Sequence, residues 1–347
     1  MRVALLGVGL IGGSIGLAAR ERLGAHVVGW NRSPAALETA LAGGAIDEAV
    51  SSLAQIGEAD VAIASVSVDA LPRAVRDLCD ALPDAVVTDV GSTKQALVDA
   101  VDRANFIGGH PLAGAESTGV AFARADLFAG ATWYLTPTAR TEGVRYERLA
   151  RFVAGLGAVP TAIAPADHDR LMAAVSHLPH VVANLLVAQA AEALGGETPP
   201  ATGPSFRDAT RVAGANPELW GQIYRANKDA LGGQIDELVR RLGEVRSLLD
   251  AGGDLAAWQA QAAGQRAALL EVGLMGGTAR EIRASVPNRP GVVAQLALAL
   301  GRAGINITDM SLAPEADNST GIVGLWVREA DARRAIELVA ELGYPAA

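Results

Sequence analysis

The chain has 347 residues, 50% of them hydrophobic and 19% charged, with 39 Gly, 16 Pro and a single Cys, which excludes a disulfide scaffold, a collagen-like repeat and a largely disordered chain. Acidic residues outnumber basic ones by 38 to 29, and a net charge of −9 is the wrong sign for a protein that draws nucleic acid to itself. At roughly 100–200 residues per domain the length predicts two or three domains, and the lone Cys79 suits a reducing, cytoplasmic compartment.

The first apolar run, Val3 to Ala19, begins as a signal peptide would, but Gly7, Gly9, Gly12, Gly13 and Gly16 make it a poor apolar helix. Arg20-Glu21-Arg22 stands where a small-residue cleavage site would be needed. No later stretch is expected to reach the ~18–20 uncharged apolar residues of a membrane span, so no membrane partner is expected. Read as structure, Arg2 to Leu6 is a buried strand. Gly7-Val8-Gly9-Leu10-Ile11-Gly12 is a G-x-G-x-x-G turn opening a helix to about Leu23, and a second strand follows at His26 to Trp30. The first glycine makes the tight turn, the second lets a pyrophosphate approach the backbone, and the third lets helix and strand pack closely. The bland alternative is a glycine-rich turn without a ligand. Where an NAD site places a carboxylate, the second strand is followed by Asn31-Arg32-Ser33. Nothing there repels a 2′-phosphate and Arg32 can bind one, so NADP is favoured over NAD, although an Arg32 that is solvated or stacked on adenine would admit both.

Further strands are expected at Val61–Val66, Ala85–Val90, Phe106–Gly109 and Thr132–Thr136, alternating with helices. In a doubly wound sheet the ligand crevice lies at the strand ends, which brings in Ser65 and Val66. Two strand ends look chemical, Asp89-Val90-Gly91-Ser92-Thr93-Lys94 and Gly109-His110-Pro111-Leu112-Ala113-Gly114-Ala115-Glu116. From about Pro165 strands cease and helical segments run from Asp167 to Leu194, Pro217 to Asp250 and Leu255 to Val272. Four of the five histidines, His110, His168, His177 and His180, span this change, and imidazole is the natural general base near neutral pH. His177 and His180 bracket Pro179, which starts or kinks a helix. No third ligand stands at a zinc-motif spacing, so no metal is expected. Arg207 and Arg211, four apart, share a helix face that either clamps a carboxylate or is merely solvated.

The glycine-rich turn, Asp-Val-Gly-Ser-Thr-Lys, Gly-Gly-His-Pro-Leu-Ala-Gly-Ala-Glu, Ser-His-Leu-Pro-His and Phe-Arg-Asp-Ala-Thr-Arg followed by Trp220 stand in the order seen in prephenate dehydrogenases. The chain resembles that family from residue 1 to about 250. The resemblance implies oxidative decarboxylation of prephenate to 4-hydroxyphenylpyruvate in tyrosine biosynthesis, with arogenate as the alternative substrate. It implies that His110 accepts a hydrogen bond from the substrate hydroxyl and that Ser92 orients it. Arg211 would hold the substrate carboxylate, His180 and Trp220 would line the pocket, and Glu116 would gate it; Arg207 and His177 are counted with them as substrate-binding candidates. No metal is implied. A homodimer is expected from the family. A related reductase for another small acid and a catalytically silent dinucleotide and amino-acid sensor are the competing readings.

After a loose linker, 273–278, the last segment reads β-α-β-β-α: a strand from Arg280 to Val286, a turn at Asn288-Arg289-Pro290-Gly291, a helix to Gly304, strands at Ile305–Leu312 and Gly321–Val327, and a helix from Ala330 to Leu342. It resembles an ACT domain whose final strand is short or missing. Tyrosine would be the feedback ligand near Asn288, Gly291 and Asn306 at a contact between two copies, or the unit would only strengthen dimerisation. The expected fold class is therefore α/β: a Rossmann-type doubly wound sheet over 1–165, an all-helical substrate and dimerisation domain over 166–272, and a ferredoxin-like ACT domain over 279–347.

Overall fold

The computed structural model describes residues 1–114, 117–195, 202–271, 279–314 and 319–346. Glu116 and the linker 273–278 lie outside the described residues. The chain forms two compact units, one of residues 1–172, 215–226 and 279–347 and the other of residues 173–214 and 227–278.

In the first unit the strands Arg2–Leu6, His26–Trp30, Val61–Ala64 and Val86–Asp89 are near-continuous apolar runs, with polar residues such as Arg2, His26 and Asp89 confined to their ends, because both faces of their sheet are covered, as parallel sheets require. Alternation divides them: Val3, Leu5, Val27, Val61 and Ile63 face one core, and Ala4, Leu6, Val28, Ala62 and Ala64 the other. With the two-residue strand Glu48–Ala49 they form a five-stranded parallel sheet, in the order 48–49, 26–30, 2–6, 61–64, 86–89. This is the Rossmann-type architecture expected.

A second, three-stranded sheet carries the histidine. Strand Gly108–Pro111 pairs antiparallel with Thr132–Thr136, which pairs parallel with Val159–Ala162. The expected strand at Phe106–Gly109 is thus displaced: Phe106 makes only a bridge to Val87, and His110 sits within the strand, opposite Tyr134. Val159–Ala162 was not expected as a strand because Pro160 interrupts its pattern; an edge position tolerates the missing donor.

The C-terminal segment has antiparallel strands Ala279–Pro287, Asp309–Pro314 and Thr320–Arg328, with 320–328 central, and helices Val292–Arg302 and Ala332–Glu341. The strand expected from Ile305 begins only at Asp309, and the last strand of the ACT pattern is reduced to a bridge between Ala284 and Ala346. Expected as a separate unit, this segment instead shares a core with the nucleotide domain. Val292, Val293, Leu296 and Leu300 join one apolar cluster with Tyr146, Leu149 and Phe152. The backbones are in close contact: Gly291 N–H donates to the Thr141 carbonyl at 3.0 Å, and a Cβ on Gly301 would lie 2.1 Å from the Ala162 carbonyl oxygen.

The second unit is helical, with Leu178–Ala193, Pro204–Thr210, Lys228–Asp250 and Leu255–Glu271. Pro179 does start a helix, and the turn before it, Ala173–His177, is a π-helix. A wider turn accommodates a residue that lacks the N–H to continue an α-helical ladder. The long helix expected from Pro217 to Asp250 is broken at Asn227, and its first part, Pro217–Ala226, packs in the first unit beside Val68–Ala70. One expectation is overturned: the helical run Pro165–Ala193 is long and apolar enough to cross a membrane by length and composition. From Leu171 to Ala191 it has no Asp, Glu, Lys or Arg, its polarity coming from Ser176, His177, His180, Asn184 and Gln189.

Candidate active site

The glycine-rich turn is shaped for a ligand. Gly7 has φ +100°, and a Cβ there would meet the Ser65 carbonyl oxygen at 2.1 Å; a Cβ on Gly12 would meet the Gly7 oxygen at the same distance. Gly9 differs, since a Cβ on it would meet nothing within 4 Å, and it precedes helix Leu10–Leu23 with no side chain capping the free N–H groups. Packing therefore explains the outer glycines and an incoming group the middle one. The turn opens on a cavity of about 880 Å³ lined by Gly7, Gly9, Asn31, Arg32, Ser65 and Val66. Leu10 and Ile11 pack their side chains against the core, leaving only their backbone to face an anion. Ser33 Oγ accepts from Ala36 N–H at 3.3 Å and so caps helix Pro34–Ala42. These residues fit a dinucleotide: a bare helix N-terminus for the pyrophosphate, and no carboxylate among Asn31, Arg32 and Ser33.

In the same unit a buried polar cluster surrounds His110. Asp89, at the end of strand Val86–Asp89, accepts from Gly91 N–H at 2.7 Å and from Gly109 N–H at 3.0 Å, and pairs with Lys94, both side chains being fully buried. One carboxylate thereby ties the Gly91–Ser92–Thr93 loop to the strand that presents His110. A Cβ on Gly109 would lie 2.6 Å from the Asp89 carbonyl oxygen, which is why the histidine follows a glycine pair. Burial pulls Lys94 below the ordinary lysine range, with Asp89 holding it back toward the charged form. Ser92, half-buried, occupies the loop that Asp89 braces.

His110 itself is held from behind. Its Nδ1 lies 2.9 Å from His168 Nε2, and His168 Nδ1 lies 2.8 Å from Asp169 Oδ1. Asp169 also accepts the backbone N–H of Lys94 at 2.8 Å and of Gln95 at 2.9 Å. Burial pushes His168 below the usual imidazole value, against the opposing pull of Asp169.

His177, His180, Arg207 and Arg211 belong to the helical unit, whereas Trp220, Asn288 and Asn306 belong to the first. His177 is buried, its Nδ1 3.1 Å from Asn227 Nδ2, whereas His180 is half-buried and donates from Nδ1 to the Ser176 carbonyl at 3.0 Å. Burial pulls His180 down against that hydrogen bond, and the charge of Arg211, in the same unit, adds to the lowering. Arg207 and Arg211 are both exposed, at the end of helix Pro204–Thr210 and the start of a 3₁₀ turn. Trp220 is not on that unit: its ring packs at a tilt against Tyr224, centroids 5.6 Å apart, in Pro217–Ala226, whose Gln222 accepts the Asp69 N–H beside the dinucleotide cavity. Asn288 lies at a cavity of about 440 Å³ lined also by Glu142, Arg289, Val293 and Leu312, while Asn306 points elsewhere, accepting from Thr161 Oγ1 at 3.1 Å.

Asp89, Lys94, His168 and Asp169 were not singled out as site residues from sequence. Asp89 and Lys94 stand inside the motif Asp-Val-Gly-Ser-Thr-Lys, and His168 among the four clustered histidines, but nothing in one dimension couples Asp169 to the backbone of residues 94 and 95.

A parallel sheet with a glycine-rich turn into a bare helix, with a buried histidine in the same unit, is an arrangement found in dinucleotide-binding oxidoreductases. Residues 15–161 match the family described as prephenate dehydrogenase, nucleotide-binding domain, residues 164–257 its dimerization domain, and residues 280–343 the ACT domain. A curated prephenate dehydrogenase of Bacillus subtilis is 31% identical over 96% of this chain and 94% of its own length. A cyclohexadienyl dehydrogenase of Zymomonas mobilis is 29% identical over 71% of this chain and 88% of its own. Among solved structures, prephenate dehydrogenase from Aquifex aeolicus, in complex with hydroxyphenyl propionate and NAD+, superposes with a TM-score of 0.71 at 30% identity, covering 78% of this chain and 98% of that one. Arogenate dehydrogenase of Synechocystis gives 0.69 at 30% identity, over 78% of this chain and 100% of that one. The chain belongs to the prephenate dehydrogenase family.

Proposed function

We propose that this oxidoreductase converts prephenate to 4-hydroxyphenylpyruvate and carbon dioxide in tyrosine biosynthesis, reducing NADP in preference to NAD. The observation that carries the reading is His110, fixed in a strand by Asp89 and backed by His168, in the same compact unit as a dinucleotide cavity. A bound nicotinamide dinucleotide supplies the hydride acceptor. His110 accepts the hydrogen bond of the ring hydroxyl, favouring carbonyl character at the carbon that loses hydride, and Ser92 orients that hydroxyl. Departure of carbon dioxide rearomatises the ring, so no metal is needed to drive it. Arg211, with His180, His177, Arg207, Glu116 and Trp220, serves substrate binding, and Arg211 is matched to a carboxylate by its planar charge. Arg32 favours the 2′-phosphate of NADP.

The matched dimerization domain supports a homodimer, and the exposed Leu185, Val187, Leu242 and Trp258 supply apolar surface for it. Tyrosine is the proposed effector, taken by the cavity at Asn288, whereas Gly291 and Asn306 are engaged with Thr141 and Thr161. A cytoplasmic location and domain boundaries near residues 165 and 272 complete the reading. Arogenate is the second substrate reading, favoured by the likeness to the Synechocystis arogenate dehydrogenase. Initial rates of absorbance rise at 340 nm, with prephenate or arogenate, with NADP or NAD, and with and without tyrosine, test the activity, the cofactor and the effector. No rise with either substrate would sink the enzyme reading, and rates unmoved by tyrosine would remove the effector.

A further inference from the structure

The chain of contacts behind His110 has a direction, and it bears on which ring nitrogen is basic. Asp169 receives the backbone N–H groups of Lys94 and Gln95 on its two oxygens, so its carboxylate is held as an acceptor. The His168 nitrogen 2.8 Å from it, Nδ1, must then carry the hydrogen. A neutral imidazole with its hydrogen on Nδ1 offers only a lone pair at Nε2, which faces His110 Nδ1 at 2.9 Å. That His110 nitrogen must be the donor, which leaves the lone pair of His110 on Nε2.

We infer that His168 and Asp169 are positioning residues that lock His110 in the tautomer whose Nε2 accepts a hydrogen bond. The inference rests on the reading of His110 as the acceptor for the substrate hydroxyl and says what makes it one. The opposite tautomer would present an N–H to that hydroxyl. In hydrolases whose orienting carboxylate is replaced by an amide, the wrong imidazole tautomer costs about 10⁴-fold in turnover. His168 suits the task because it is fully buried, with Asp169 almost so, and no bulk water competes for either hydrogen bond. The groups facing His168 are Asp169, His110, Lys94, Asp89 and the ring of Tyr134, whose centroid lies 5.6 Å away, edge-on. Burial lowers its proton affinity, so its charged form, which would donate from both nitrogens and reverse the chain, is suppressed.

The test is nitrogen NMR of the full-length protein labelled with ¹⁵N-histidine, the His110 signals being assigned by their loss in His110→Asn. The expected spectrum shows Nδ1 of His110 protonated and Nε2 bare; a protonated Nε2 would overturn the inference whether or not the protein oxidises prephenate. Kinetics give a second arm. His168→Leu should lower kcat by about 10²-fold or more with KM little changed. His168→Gln, whose amide can donate to Asp169 and accept from His110, should recover most of that loss. Equal impairment of the two variants, or an unchanged kcat in His168→Leu, would reduce His168 to a packing residue. If His110→Asn retains full activity while the tautomer is as expected, the functional reading of His110 fails and the tautomer assignment stands.

Discussion

The polar cluster around His110 and the arginines of the helical unit contrast in nearly every respect. Asp89, Lys94, His168 and Asp169 are buried, each held by at least two hydrogen bonds or an ion pair, and their geometry is set before any ligand arrives. Arg207 and Arg211 are exposed. On the proposed role of His110, the first region holds fixed dipoles at the reacting atoms, where preorganisation yields rate. The second offers long side chains at an exposed surface, where an ion pair is worth little in water. Such a division predicts that damage to the cluster shows in turnover or in stability, and damage to the arginines in KM.

The largest effect that would sharpen this contrast is His110→Asn, expected to lower kcat by about 10²–10⁴-fold with little change in KM; a change confined to KM would break it. Lys94→Met comes next. It strands the Asp89 carboxylate in the interior, and a loss of about 3–5 kcal/mol in urea unfolding is expected. The double change Asp89→Asn with Lys94→Met should recover part of that loss, and failure to do so would mean the pair is not the source. Arg211→Ala should raise KM for prephenate by about 10–100-fold, the worth of a charge-assisted hydrogen bond of about 1.5–3 kcal/mol, while kcat changes less. Arg32→Ala should reduce the ratio of NADP to NAD efficiency by about tenfold on the same scale, read from initial rates with each cofactor.

The smallest expected effect is a pH slope in stability. His168 has its folded value depressed by burial, so the unfolded chain takes up the proton first as pH falls below about 6.5. Its contribution to stability is complete above that pH and is lost as pH falls toward the depressed folded value. Melting temperatures of the wild type should therefore drop more steeply with acidification than those of His168→Gln, and parallel curves would remove His168 as the source.

Legibility followed sequence distance. The turn Gly7–Gly12, strands Arg2–Leu6 and His26–Trp30 and helix Leu10–Leu23 were readable because each rests on local periodicity and on glycines that only a tight turn or close approach requires. Strand Val159–Ala162 was not, since four residues containing a proline carry no pattern, and only pairing with Thr132–Thr136 makes them a strand. The run Leu171–Ala191 does not read as a span because Ser176, His177, Pro179, His180, Asn184 and Gln189 interrupt its apolar pattern, yet it carries no charge and forms continuous helix. Asn306 could be named but not placed, because its partner Thr161 lies in another segment of the chain.

By itself the sequence determined the α/β class, the dinucleotide turn, the candidate histidine and the order of motifs, all of which depend on residue type at short spacing. Only the tertiary structure decided that Asp169 braces residues 94 and 95, that His168 stands behind His110, and that the C-terminal segment shares a core with the nucleotide domain. Those contacts join segments far apart in the chain. Their strength comes from burial, which exists only once the core has closed and water has been excluded.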